Sequence, residues 1–113
     1  MIKGKITIDR YVFLRFPAVI SKYLELDKRS EIYTLFDDNN NILISLQPKE
    51  NFKLRKLQKQ RGPPYIYLPS YYKNIITKNN IIIWKMENNK ITAEVYNLLD
   101  ENDKELKFKI IFI

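Results

Sequence analysis

The chain has 113 residues, 45% of them hydrophobic, a length that suits one compact core or two small cores sharing an interface. It has no cysteine and no histidine, which excludes disulfides, thiolate or imidazole metal sites and the usual bases of Ser or Cys nucleophiles. The 20 basic and 13 acidic side chains give a net charge of +7, which favours a polyanionic partner. An AT-rich genome, which enriches Lys, Asn and Ile, is the alternative source of this charge.

The N-terminal segment does not resemble a signal peptide, because residues 1–10 carry Lys3, Lys5, Asp9 and Arg10 and have no apolar h-region. No uninterrupted apolar run approaches the roughly 20 residues that a membrane-spanning helix needs. These features predict a soluble, cytoplasmic protein with no membrane partner.

Strands are predicted to dominate, because eight Tyr, six Phe and one Trp accompany Ile-rich runs that favour pleated, half-buried surfaces. The first candidate strand runs from Lys3 to Asp9, where Ile6 and Ile8 alternate with polar neighbours. A second apolar run, Tyr11 to Phe16, reads as a buried strand.

Pro17 follows this second strand and suits the first position of a helix, because its missing N–H would have no intrahelical partner there. Downstream, Ile20, Tyr23 and Leu24 are spaced by three and four residues, which places them on one face of a helix. A helix of about two turns is therefore expected after Pro17.

A hairpin is predicted next, with strands at 32–36 and 42–46 joined by the polar turn Asp37 to Asn41. The same polar run could open a calcium loop, but Ile42 stands where that loop has glycine and Pro48 where it has its bidentate Glu. The turn is the favoured interpretation, and no metal or other cofactor is expected.

The second half repeats this order when Pro17 and Pro69 are superposed. A candidate strand at 52–60 precedes the apolar run 65–68, which ends at Pro69, and Tyr72, Ile75 and Ile76 follow at the helical offsets of the first half. A hairpin is predicted over 81–96 with its turn at 87–90, and an alternating strand at 106–110 has no counterpart in the first half.

The order of elements resembles the swapped-hairpin fold of AbrB-like transition-state regulators and MazE-type antitoxins. The residues that carry the resemblance are Leu14-Arg15-Phe16-Pro17 through Tyr23-Leu24-Glu25-Leu26 and Ser30-Glu31, and then Arg61-Gly62-Pro63-Pro64-Tyr65-Ile66-Tyr67-Leu68-Pro69. Glu25 stands where the family has glycine. The resemblance implies a mostly β (β-rich α+β) chain of two βαββ-type units, residues 1–48 and 49–113, that form a single-chain pseudo-dimeric barrel. The two units would make one intertwined body, with the extra strand in the second, and the chain could pair again as a homodimer.

The resemblance also implies that double-stranded DNA is the partner, because the family binds it through basic residues on the first hairpin and near the helix start. The corresponding positions in this chain are Arg10, Arg15, Lys22, Lys53, Arg55, Lys56, Lys59, Arg61 and Lys73.

The segment from Lys49 to Arg61 is the strongest electrostatic feature, with six basic residues and the single acid Glu50. It could lie across phosphates, with an arginine reading guanine edges in a major groove. The alternative is an edge strand that its lysines protect against aggregation.

Aromatic residues could stack unpaired bases, but Tyr65, Tyr67 and Tyr72 are interpreted as core residues. Tyr71, which lies off the apolar stripe, is the one aromatic side chain expected to be free for such a role.

No catalytic constellation is found, so the chain is expected not to be an enzyme. The sequence favours a DNA-binding transcriptional regulator. The alternative is a protein–protein interaction module, an antitoxin or inhibitor, that grips its partner through an exposed strand edge. The apolar C-terminus, residues 110–113, differs from the acidic tail of MazE-type antitoxins.

Overall fold

The computed structural model describes residues 1–113, which form ten strands, one α-helix and one 3₁₀ helix. In chain order the strands are β1 (Ile2–Gly4), β2 (Ile6–Ile8), β3 (Val12–Arg15), β4 (Glu31–Phe36), β5 (Ile42–Ser45), β6 (Lys53–Lys56), β7 (Tyr65–Leu68), β8 (Asn80–Glu87), β9 (Lys90–Leu98) and β10 (Lys104–Phe112). Helix α1 spans Ala18–Tyr23, and the 3₁₀ helix spans Ser70–Asn74. The prediction of a mostly β chain is confirmed. Neither helix has the length and apolar character needed to cross a bilayer.

The strands form two sheets. Seven strands lie in the order β1, β8, β9, β10, β5, β4, β6, and three lie in the order β2, β3, β7. All pairings between strands are antiparallel except that of β10 with β5. Both sheets have open edges, so the strands do not close into the predicted barrel. Strand β10 lies between β9 and β5 and joins the two hairpins edge to edge in the seven-stranded sheet.

Both prolines separate a strand from a short helix, as the sequence predicts. Pro17 and Pro69 are the residues just before the helices, with φ of −56° and −54°, and not their first helical residues. The second helix is a 3₁₀ helix of five residues and not an α-helix. The predicted apolar faces are confirmed at Ile20 and Tyr72, which are fully buried.

The strands are paired reciprocally between the two halves of the chain. Leu14 and Ile66, each three residues before a proline, are directly opposite each other in β3 and β7. Strand β1 pairs with β8 of the second half, and β6 of the second half pairs with β4 of the first. Each half therefore donates its first strand to the hairpin of the other half.

Two of the predicted strands are each divided in the structure because of this exchange. The stretch from Lys3 to Asp9 is two strands separated at Lys5, because β1 joins the large sheet and β2 the small one. The stretch from Phe52 to Gln60 is likewise divided: β6 pairs with β4, and Gln58 then forms an isolated bridge with Tyr65, the first residue of β7. The chain passes from one sheet to the other at each interruption.

The two sheets enclose one hydrophobic core of 20 buried residues drawn from both halves. Phe16 is fully buried, and its ring centroid lies 6.2 Å from that of Trp84 and 5.9 Å from that of Phe112. Two strands from the second half of the chain, β8 and β10, thus meet the ring of the residue that follows β3.

The polar turns have the geometry that their Asn and Asp residues permit. The Asp37 carboxylate accepts hydrogen bonds from the backbone N–H groups of Asn39 and Asn41, both at 2.9 Å, so this segment is a hairpin turn as predicted. The second hairpin turns at Asn88 and Asn89, whose positive φ values of 50° and 63° suit a two-residue turn.

The end of α1 differs from the prediction at one residue. Tyr23 is 51% exposed and not on the buried face, because α1 ends there and its hydroxyl donates to Asn89 Oδ1 at 3.1 Å. Glu25, at the position where the resembling family has glycine, has a φ of 55°. Glycine adopts this left-handed conformation readily. Glu25 adopts it as well, so the chain turns here without a glycine.

Candidate nucleic-acid interface

The basic side chains are almost entirely free of acidic partners. The only ion pair in the chain joins Lys107 and Glu105, with 2.7 Å between Nζ and Oε1. None of the nine basic residues predicted to contact DNA is in an ion pair. Their positive charge is therefore not neutralised within the protein and is available to an external anion.

Two of these residues line a surface groove of about 540 Å³ between α1 and the loop that precedes β7. Lys22 projects from the last turn of α1 and Lys59 from the loop, and Glu25 is the one acidic residue in the lining. Arg61 is exposed beside this lining, just before Gly62. We call Lys22, Lys59 and Arg61 the basic groove.

The loop that carries Lys59 and Arg61 has a constrained backbone. Gly62 has a φ of 114°, a conformation that side-chain-bearing residues rarely adopt, and Arg61 has a φ of 49°. The two prolines that follow limit the backbone further. This local sequence explains why the loop stands out from the sheet beside α1.

Arg15 holds that loop against the small sheet. Its Nη1 donates to the Pro63 carbonyl oxygen, and its guanidinium carbon lies 4.8 Å from the centroid of the Tyr65 ring. The side chain is half-buried, and the backbone N–H of Phe16 donates to the Pro64 carbonyl at 2.9 Å. Arg15 therefore positions the basic loop and presents only part of its guanidinium to solvent.

The three predicted contact residues on β6 lie apart from the basic groove, along an edge of the seven-stranded sheet. Lys53 and Lys56 are exposed. Arg55 is half-buried, with Nε 3.3 Å from Thr34 Oγ1 and its guanidinium carbon 5.1 Å from the Phe36 ring centroid. This arrangement fits the alternative in which lysines protect an edge strand.

Arg10 and Lys73 lie together at the turn between β2 and β3. The Lys73 ammonium donates to the Arg10 carbonyl oxygen at 2.8 Å, and both side chains are exposed. The Arg10 guanidinium carbon is 5.7 Å from the Tyr11 ring centroid. Positive charge thus lies at both ends of β3, with Arg10 at one end and Arg15 at the other.

Four aromatic rings between these arginines form a cluster that the sequence analysis did not identify. Tyr11, Phe13, Tyr65 and Tyr67 lie on the outward face of the small sheet, and we call them the aromatic face. Tyr65 is only 8% exposed, yet it does not belong to the 20-residue core. Tyr65 is buried as predicted, whereas Tyr67, at 39% exposed, is not a core residue, contrary to the prediction. The alternation of β3, in which Val12 and Leu14 are buried, would have indicated the outward direction of Tyr11 and Phe13.

Tyr71 is exposed as predicted, at 44%, but one face of its ring is covered. It stacks on Tyr72, with 4.9 Å between ring centroids and 28° between ring planes. Tyr72 is fully buried, and its hydroxyl donates to the Asn40 carbonyl at 2.7 Å. Burial raises the pKa of Tyr72 above its ordinary value, so this hydroxyl remains a donor at neutral pH.

The acidic residues do not gather as metal ligands would, because no three Asp or Glu side chains converge. No protein-family model, curated protein or solved structure matches this chain. Function is therefore inferred from the fold and from the positions of the basic and aromatic residues.

Proposed function

We propose that this chain is a non-enzymatic DNA-binding protein that contacts duplex DNA through basic residues beside the small sheet. The observation that carries the proposal is the absence of acidic partners for the nine predicted contact residues in a chain of net charge +7. Basic side chains without acidic partners can bind DNA phosphates and displace the counterions condensed on the DNA. This is a source of affinity that does not depend on DNA sequence.

The strand exchange supports a tandem AbrB-like architecture of two units, residues 1–48 and 49–113. The reciprocal pairing of β1 with β8 and of β6 with β4 is what two swapped-hairpin units in one chain would produce. The pairing of Leu14 with Ile66 supports an approximate twofold relation between the two units about β3 and β7. A regulator of transcription is the role that this architecture suggests.

Within the predicted set, the basic groove is the best candidate for phosphate contact. Lys22, Lys59 and Arg61 are exposed and come from two elements that face each other across the groove. Arg15 and Arg55, in contrast, already make hydrogen bonds and ring contacts within the protein. We therefore assign phosphate contact to the groove and a positioning role to Arg15.

Neutralising the basic groove is expected to weaken duplex binding about tenfold or more at about 100 mM salt. The variant is Lys22→Gln/Lys59→Gln/Arg61→Gln, and the measurement is fluorescence anisotropy with a labelled DNA duplex. The control is Lys78→Gln/Lys85→Gln/Lys90→Gln, which removes the same charge from exposed lysines elsewhere on the surface. Equal losses in the two variants would show that net charge alone drives binding and that the groove is not the site.

An interaction module is the second candidate, because β6 is an open sheet edge. Leu54, in the middle of β6, is 45% exposed, so a partner strand could add its backbone hydrogen bonds and cover this side chain. This candidate becomes the better one if the unmodified protein shows no affinity for duplex DNA at low salt.

A further inference from the structure

The four rings of the aromatic face pack on one another edge to face or at a tilt, with interplanar angles from 42° to 90°. The Tyr11 and Tyr67 ring centroids are 5.5 Å apart, and those of Tyr67 and Phe13 are 6.0 Å apart. Tyr65 lies 5.3 Å from Phe13 and 5.8 Å from Tyr67. Each ring therefore supports its neighbours, which keeps the face ordered before any ligand binds.

Two rings of this face are open to solvent. Tyr11 is 56% exposed and Tyr67 is 39% exposed. None of the four rings belongs to the core cluster of 20 residues, so packing in that cluster does not account for four aromatic side chains at these positions. The neighbouring Tyr65 hydroxyl raises the pKa of Tyr67 above its ordinary value, so the Tyr67 hydroxyl stays protonated at neutral pH.

The charge around the aromatic face is strongly positive. Residues 5–16 and 57–69, which contain the strands of the small sheet and their adjoining loops, hold five basic residues and one acid, Asp9. Arg10 lies over Tyr11 and Arg15 over Tyr65, so cations lie directly beside the rings. An aromatic surface bordered by cations complements a ligand that has both flat rings and negative charges.

We propose that the aromatic face binds single-stranded nucleic acid, with unpaired bases stacked on Tyr11 and Tyr67 and with phosphates beside Arg10. Bases in a duplex are already stacked and paired, so their faces are not accessible to a flat protein surface. Single strands expose these faces, and every base has one, so little sequence preference is expected. The inference goes beyond duplex binding and does not depend on it.

The direct probe is a labelled oligothymidylate of about 12 nucleotides, compared with an abasic deoxyribose phosphate chain of the same length and charge. The unmodified protein should bind the thymidylate at least about fivefold more tightly, because the abasic chain offers phosphates without rings to stack. Equal affinity for the two chains would overturn the proposal, since phosphates alone would then account for binding.

Single substitutions test whether the aromatic face is the binding site. Tyr67→Ala should weaken thymidylate binding about 5- to 150-fold, and Tyr67→Phe should retain it, because stacking needs the ring and not the hydroxyl. Tyr23→Ala removes a tyrosine of similar exposure from the end of α1 and should leave the affinity unchanged. Unchanged binding by Tyr67→Ala, in protein shown by thermal melting to be folded, would also overturn the proposal.

Duplex binding by the basic groove and single-strand binding by the aromatic face can be rejected independently of each other. Tyr67→Ala should leave duplex affinity unchanged, whereas the triple substitution in the basic groove should lower it. If duplex binding is absent but the thymidylate is preferred over the abasic chain, the aromatic face is supported and the duplex proposal is rejected. Concentration-dependent self-association that Tyr67→Ala abolishes, with no preference for the thymidylate, would instead identify a second copy of the chain as the occupant.

Discussion

Phe16→Ala is expected to lower the free energy of unfolding by about 3–5 kcal/mol. The Phe16 ring is fully buried and lies close to Trp84 and Phe112, so truncation leaves a cavity where β8 and β10 meet the end of β3. Rings of that size cannot shift enough to fill the space. Denaturant unfolding followed by circular dichroism measures the loss.

Phe13→Ala is the matched control for this substitution. Phe13 belongs to the same strand, β3, but points outward to the aromatic face and is half-buried. Phe13→Ala should lower the free energy of unfolding clearly less than Phe16→Ala does, because no closed cavity forms. Similar losses would contradict the assignment of the core to the inward face of the small sheet.

Asn80→Ala is expected to destabilise the protein by about 2–4 kcal/mol. The buried Asn80 amide accepts a hydrogen bond from the Ile6 N–H at 2.8 Å and donates to the carbonyls of Ile6 at 3.0 Å and Thr77 at 2.7 Å. Alanine would leave three backbone groups without partners. Because Ile6 begins β2 and Asn80 begins β8, the variant tests the contact between the two halves.

Asn79→Ala controls for the loss of an asparagine amide at the neighbouring position. Asn79 is exposed, and its Nδ2 makes one long hydrogen bond of 3.4 Å to the Leu98 carbonyl. Asn79→Ala should change the free energy of unfolding by no more than about 0.5 kcal/mol, as most surface substitutions do. If both variants are equally stable in thermal and denaturant unfolding, the amide of Asn80 does not join the halves as described.

Much of the element order could be predicted because it depends on local signals. Proline after an apolar strand marked both helix starts, and Asn-rich turns marked both hairpins. The alternation of apolar and charged residues marked β10, although the strand extends beyond the predicted bounds. These signals operate over a few residues and need no knowledge of the partner strand.

The sheet arrangement could not be predicted because it depends on which distant strands pair. Nothing local at Lys5 indicates that the chain leaves one sheet for the other, since β1 and β2 share one alternating pattern. The insertion of β10 beside β5 is equally non-local, as it joins Ile110 to Ile42. For this reason the predicted barrel is not confirmed.

Residue type indicated the candidate site only in part. Charge density pointed to residues 49–61, but Arg55 lies against Phe36 and Thr34, and only the register of β6 with β4 reveals this. The aromatic face was missed because Tyr65 and Tyr67 were interpreted by their hydrophobicity. The alternation of inward and outward side chains along β7 was not considered. In that strand Ile66 and Leu68 face the core, so the two tyrosines face outward.

The salt dependence of duplex affinity tests the central claim, that unpartnered basic side chains bind phosphates, most directly. Dissociation constants would be measured for the unmodified protein from about 50 to about 200 mM salt. Each phosphate contact contributes about −0.9 to the slope of log affinity against log salt, so three groove contacts predict a slope of about −3 or steeper. A slope near zero would contradict the claim, because a cation that replaces no counterion is not in contact with a phosphate.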